Sequence, residues 1–143
     1  MVKFTYVSEY LTRYTVTKSD RMPALTGISD AVFTLLMERP LVSMEIKSTD
    51  NINSLLSAHV GDHIFLTPVS REDLVSKIQG CIGIVRGKTV TLQKVKKWDE
   101  SEIVAVRLQV EPVCVANVKN VELKELGKGV MVRVERSVRC SIS

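Results

Sequence analysis

From position 42 onward, apolar residues return at every second position, and that rhythm limits the fold more than any other feature of the chain. Val42, Met44 and Ile46 alternate with Ser43, Glu45 and Lys47. Val104, Val106, Leu108 and Val110 alternate with Arg107, Gln109 and Glu111, and Val130, Val132 and Val134 with Met131, Arg133 and Glu135. A period of two puts one face of a strand in a core, whereas a helix needs a period of 3.6. Branched aliphatics dominate the 45% of apolar residues while aromatics supply only 5%, and Val and Ile fit a pleated surface better than a helix. At 143 residues the chain suits one core. The expected organisation is a single domain over 22–143 preceded by a stretch, 1–21, that is either an extension or an added strand around 3–14.

Between the strands, the pattern predicts short helices. Ser29 is a good N-cap, Asp30 suits the positive end of a helix dipole, and Val32, Leu35 and Leu36 share a face until Pro40 ends it. Thr49-Asp50-Asn51 reads as a turn and cap ahead of a second helix through Ile52, Leu55 and Leu56. Gly61-Asp62 turns the chain into a strand over 63–67, and Ser70 with Asp73 opens a third short helix. Two strands, 81–86 and 89–95, are expected to form a hairpin about Gly87-Lys88. Pro112 should interrupt the next strand as an edge or bend. The fold class that follows is α+β: a small mixed β-barrel or strongly bent sheet carrying two or three short helices.

Several function classes find no support. No apolar run approaches the roughly 20 residues that cross a bilayer, and residues 1–20 interleave charges where a secretory leader needs an apolar block. A cytoplasmic protein without a membrane partner is expected. Cys81, Cys114 and Cys140 lie far apart, without the paired spacing of a zinc site, and read mainly as small core residues. His59 and His63 are four apart, but Gly61 between them turns the chain into a strand, and no acid stands in the HExxH position. Neither cofactor nor metal is expected. With no convincing general base, and with Ser29, Ser48 and Ser70 explained as caps or turn residues, serine catalysis is not expected either.

The net charge of +4 is modest, yet positive residues cluster. Arg86, Lys88, Lys94, Lys96 and Lys97 fall within twelve residues with no acid among them, although Asp99, Glu100 and Glu102 follow at once. A phosphate backbone is bound by such a clustered field, and a solvated strand face is the simpler alternative. A second set, Lys124, Lys128, Arg133, Arg136 and Arg139, stands against Glu122, Glu125 and Glu135. Trp98, in a loop beside the lysines, is the one aromatic placed to stack on a base, and a core lid is its simpler role.

The motifs Ala24 to Ser29, Glu45-Ile46-Lys47-Ser48, Asn51, Gly61 to Thr67, Asp73-Leu74 and Gly80 to Val85 fall in an order that resembles an uncharacterised archaeal family of short proteins, a domain of unknown function of the DUF473 type. The same order of helix, E-I-K strand, Gly-Asp turn and G-I-V strand is similar to the small barrels of the PUA type and their ASCH relatives. That second resemblance is an analogy of fold. It implies a groove near the helix-to-strand junctions, at Lys47, Ser48, Asn51, Thr67 and Ser70, and RNA as the partner; the charge cluster adds Arg86, Lys88, Lys94, Lys96 and Lys97 as the residues expected to meet phosphates. Glu38-Arg39-Pro40 stands where ASCH proteins carry Gly-x-Lys, which puts the hydrolase activity of some relatives in doubt. The leading expectation is therefore a non-enzymatic RNA-binding or RNA-associated module. The alternatives are an enzyme or binding protein for a small polar ligand, using Glu45 or Asp73, and a protein-interaction subunit.

Overall fold

Every alternating stretch named above lies in a strand, because each has an apolar face that only a neighbouring strand or helix can cover. The computed structural model describes residues 21–94, 102–124 and 129–136. In chain order the elements are β1 (Arg21–Leu25), α1 (Asp30–Glu38), β2 (Val42–Ile46), α2 (Thr49–Leu56), β3 (His63–Leu66), a 3₁₀ turn (Arg71–Asp73), β4 (Gln79–Lys94), β5 (Glu102–Lys124) and β6 (Val130–Arg136). The fold is α+β and rich in sheet, with two helices, both set early, among the described residues.

Strand β5 organises the sheet. Its 23 residues pair antiparallel with β2 through 106–110, with β4 through 102–117 and with β6 through 116–124. Strand β3 pairs with β4, β1 runs parallel to β3, and β1 in turn pairs antiparallel with β6. The strands β4, β3, β1, β6 and the second half of β5 thus close on one another as a ring. The first half of β5, the end of β4 and β2 continue as a wing whose outer edge is β2.

Two apolar clusters follow from this topology. Met22, Ala24, Phe65, Ile82, Ala116, Val118, Val130, Val132 and Val134 come from all five strands of the ring and pack together inside it. Leu74, fully buried after the 3₁₀ turn, packs into the same cluster. The other faces of these strands, with Leu25, Ile64, Leu66 and Val85, join Met44, Ile46, Val106 and Leu108 of the wing beneath Leu36 of α1 and Leu55 of α2. Alternation along each strand separates the two cores, as the period of two requires.

The expected hairpin about Gly87-Lys88 is not formed, and β4 runs unbroken from Gln79 to Lys94. Gly87 pairs with Gln109 and Lys88 with Leu108; the register slips between Val85 and Gly87, leaving Arg86 as the extra residue of a bulge. Gly87 therefore lies beside a bulge within the strand and not at a chain reversal. Gly80 and Gly83 are close-packing positions. A Cβ at Gly83 would meet Val110 at 2.3 Å, and one at Gly80 would meet the Phe65 ring at 2.4 Å and the Leu66 carbonyl at 2.6 Å. Pro112 bends β5 without ending it: it pairs with Gly83 at a second slip, between Ile82 and Gly83, that makes Val113 the extra residue.

Capping residues behave as the sequence predicts, with two adjustments. Ser29 caps α1, its Oγ accepting from the Val32 amide at 3.2 Å. The cap of α2 is Ser48, one residue earlier than the expected Thr49-Asp50-Asn51, which form the first turn instead. The third helix is a single 3₁₀ turn capped by Ser70, since the chain must at once bury Leu74. Of the cysteines, Cys81 is a free, buried thiol whose pKa burial pushes up to about 11, in keeping with a core role. Cys114 is partly buried against the apolar cluster inside the ring and is disulfide-bonded. No helix among the described residues is long and apolar enough to cross a membrane.

Because backbone as well as side chain blocks the space beside Gly80, the Gly80→Ala variant is expected to lose about 1–3 kcal/mol of stability by chemical denaturation. A loss below the error of that measurement would contradict the packing described for β3 and β4.

Candidate functional site

Helices α1 and α2 both begin at one shallow groove, where the lead-in to α1 at 27–29 faces the end of β2 and the start of α2. Gly27 leaves β1 with φ +65°, a conformation open to glycine at little expense, and its amide donates to the Val69 carbonyl. The Ile28 amide donates to the Thr67 carbonyl, so the lead-in to α1 is held on the end of β3. Asn51 in the first turn of α2 completes the junction. Its side chain, 6% exposed, accepts from the Thr26 amide and donates to the Thr26 carbonyl, both at 2.9 Å. One amide side chain thereby imitates a strand partner and fixes the start of α2 against the lead-in of α1.

The other end of this support lies on β6. Ser54 accepts from the Val130 amide at 2.8 Å, and Gly129, φ +81°, passes so close that a Cβ would stand 2.9 Å from the Ser54 amide nitrogen. Arg71 of the 3₁₀ turn adds an ion pair to Asp50 at 2.9 Å.

The groove has a volume of about 260 Å³ and is walled by Ile28, Ser29 and Val32 of the α1 start, by the backbone and side chains of 44–47, and by Ser48 and Asn51. Met44 and Ile46 are buried while Glu45 and Lys47 are exposed; their charged groups approach to 3.7 Å. At the first turns of the two helices, Ser29 and Ser48 satisfy the Val32 and Asn51 amides. The amides nearer each cap have no acceptor within their own helix, as at every helix start. Chemically the groove offers an apolar floor, one mobile ammonium, one carboxylate, and hydroxyl and amide donors. Such a lining holds a small polar or anionic group.

Of the residues expected from the sequence, Lys47, Ser48 and Asn51 are brought together here. Thr67 is fully buried, its hydroxyl donating to the Gln79 carbonyl at 3.1 Å, and it supports the groove without lining it. Ser70 is exposed but engaged with Asp73, accepting from its amide and donating to Oδ2. Arg86 pairs with Glu111 at 2.7 Å on the face of the wing opposite the helices. Lys88 goes to the helix side, where its Nζ donates to the carbonyls of Leu55 and Ala58 at 3.0 and 2.6 Å, neutralising the negative end of α2. Arg86 and Lys88 therefore do not share a surface. Lys94 ends β4, and Lys96, Lys97 and Trp98 lie outside the described residues.

In the second basic set, Arg133 shares Glu122 with Arg21, and the two guanidiniums hold that carboxyl below its usual range. Lys124 donates to the Glu72 and Leu74 carbonyls. Lys128 and Arg139 lie outside the described residues. Of the two carboxylates considered for catalysis, Glu45 is on the groove and Asp73 is not. The wall formed by 27–32 was missed in the sequence. Gly27, two residues ahead of a capping serine, was the available signal.

A ring of strands with helices at one set of strand ends, and a groove where those helices start, defines the class as an α+β module with a small polar site. Comparison with known proteins narrows this. The chain matches the model of a family described as protein of unknown function (DUF473) over residues 20–132, and it belongs to that family. An uncharacterised protein of Methanocaldococcus jannaschii, MJ0105, is 29% identical over 87 residues, which cover 61% of this chain and 57% of that protein. The match thus spans a little over half of that relative's length.

Asn51→Leu keeps the volume but strands the buried Thr26 amide and carbonyl. It is expected to lower stability by at least about 2 kcal/mol in urea denaturation. An unchanged midpoint would mean that Asn51 does not hold the junction.

Proposed function

We propose that this chain is an RNA-associated binding module of the cytoplasm whose groove between α1 and β2 receives a phosphate-bearing part of its ligand. The observation that carries the reading is the meeting of Lys47, Ser48 and Asn51, with the starts of two helices, in one open cleft of about 260 Å³. Helix starts and a flexible ammonium favour an oxyanion. The Asn51 clamp keeps the site in place before a ligand arrives, so little ordering is lost on binding. The architecture that goes with this reading is a small barrel of the PUA and ASCH kind, supported by the closure of β4, β3, β1, β6 and β5 on one another.

The contacts are few. Lys88 is spent on the end of α2 and Arg86 on Glu111, so the electrostatic footprint on RNA is small and affinity modest. A second reading, a module for a small polar ligand alone, is favoured by the size of the cleft and by Glu45 on its rim.

Titration with tRNA separates the two. Binding is expected at low salt, to weaken as salt rises, and to lose about one unit of log–log salt slope in the Lys47→Ala variant. A flat titration at low salt would defeat the RNA reading. A mononucleotide that saturates the groove while longer RNA binds no better would favour the second.

A further inference from the structure

The ring has a second end, and its chemistry differs from that of the groove. Strands β1 and β3 begin there, β6 finishes there, and β4 and β5 cross it near residues 84 and 111. The apolar interior reaches it through Phe65, Ile82 and Val134. Two positions along each strand, on the same face, stand His63, Ile84 and Arg136. Glu111 is the cross-strand partner of Ile84, and the bulge in β4 turns Arg86 to the same side, where the two form their ion pair. Three nitrogen-bearing side chains from three strands therefore rim one mouth.

Arg136 is the anomaly in this rim. Its Nε is buried and has no hydrogen-bond partner. Arg71 also has a buried Nε without a well-angled bond, but the Asp50 carboxylate sits 2.9 Å away and neutralises it. Among the described residues no carboxylate is paired with Arg136 in that way. A guanidinium donor left without an acceptor is costly in a folded chain, and native proteins seldom keep one without a reason. The ring of His63 is half-buried in the same mouth. Burial first, then the charges of Arg136 and Arg86, hold its pKa below the ordinary value, against a smaller opposing effect of Asp62. These influences favour the uncharged imidazole, which can donate one N–H. Arg86 is tied to Glu111 only through side chains each 45% exposed, a pairing weak enough to exchange.

We infer that this mouth binds an oxyanion of the phosphate class, held by the guanidinium of Arg136, with His63 donating from β3 and Arg86 turning from Glu111 to close over it. Planar guanidinium forks suit phosphate oxygens, and the mouth of a strand ring with an apolar floor is a common place for a small ligand. The site is separate from the groove at Lys47 and stands whether or not that groove binds RNA.

The test uses the full chain in phosphate-free buffer and follows the ring resonances of its two histidines. His59, exposed on the turn before β3, serves as the internal reference. The charged groups bearing on His63 are Arg136 of β6, Asp62 in the preceding turn and Arg86 of β4, the last paired with Glu111 of β5. Inorganic phosphate is expected to shift the His63 signals saturably and to raise its pKa, because an added anion favours the protonated ring, while His59 stays put. Arg136→Gln is expected to weaken this binding about tenfold or more, the weight of a charge-assisted hydrogen bond. Without phosphate it should melt no lower than the parent, since it removes an unpartnered charge. Lys47→Ala should leave the titration unchanged, so this proposal and the groove can fail separately. Adenosine monophosphate and a short RNA serve as parallel arms: tighter response at His63 assigns the phosphate to a nucleotide or to RNA, and response to inorganic phosphate alone assigns it to the free ion. Equal shifts with phosphate and with chloride at matched ionic strength, or unchanged affinity in Arg136→Gln, would overturn the proposal.

Discussion

One strand with three partners holds this protein together. Strand β5 pairs with β2, with β4 and with β6, so its hydrogen bonds belong at once to the wing under the helices and to the ring. Serving both requires it to change direction, and the slip opposite Gly83, with Pro112 and Val113, supplies the bend. A bulge leaves one residue unpaired and increases the local twist, which allows a sheet to curl back on itself. Glycine at 80 and 83 lets Phe65, Leu66 and Val110 come against β4 where any side chain would push them away. The fold therefore depends less on its helices than on the small residues where the long strands curve.

The helices in turn depend on the ring. Neither is long enough to be stable alone, and each is fixed at its start by a serine cap and at its side by the sheet. Asn51 joins the two starts through Thr26, and Lys88 reaches from β4 to the far end of α2. A lysine that looked like part of a basic stripe is in this way a helix-terminal counter-charge. Charge that would have served a ligand is used for folding, and among the described residues that line the groove Lys47 is the cation.

Much of this was legible in the sequence, and the reason is the two-residue rhythm. Val42 to Ile46, Val104 to Val110 and Val130 to Val134 are strands because nothing else buries alternate residues. Ser29 and Ser70 announced their caps, while a groove at the helix-to-strand junctions was an expectation drawn from the resemblance to small barrels and not from the residue pattern. The failures have a common physical source. Gly87-Lys88 has the composition of a turn, but a glycine can equally mark a bulge, and only the partner strand decides which. Proline at 112 leaves edge and bend both open, and the slipped register opposite Gly83 selects the bend. The clustering of Arg86 with Lys88 dissolved for the same reason, since the bulge and the alternation of β4 send them to opposite faces. The mouth at His63, Arg86 and Arg136 could not be read from spacing at all, because ring closure alone brings those positions together.

Ring closure through β5 is the central claim, and amide hydrogen exchange tests it most directly. Residues 106–111 and 114–118 are expected to exchange slowly and to open together, as one cooperative unit spanning the bend at Pro112. Independent exchange of the two halves, or fast exchange of 116–118 where β5 meets β6, would show that the ring is not closed and would contradict the account.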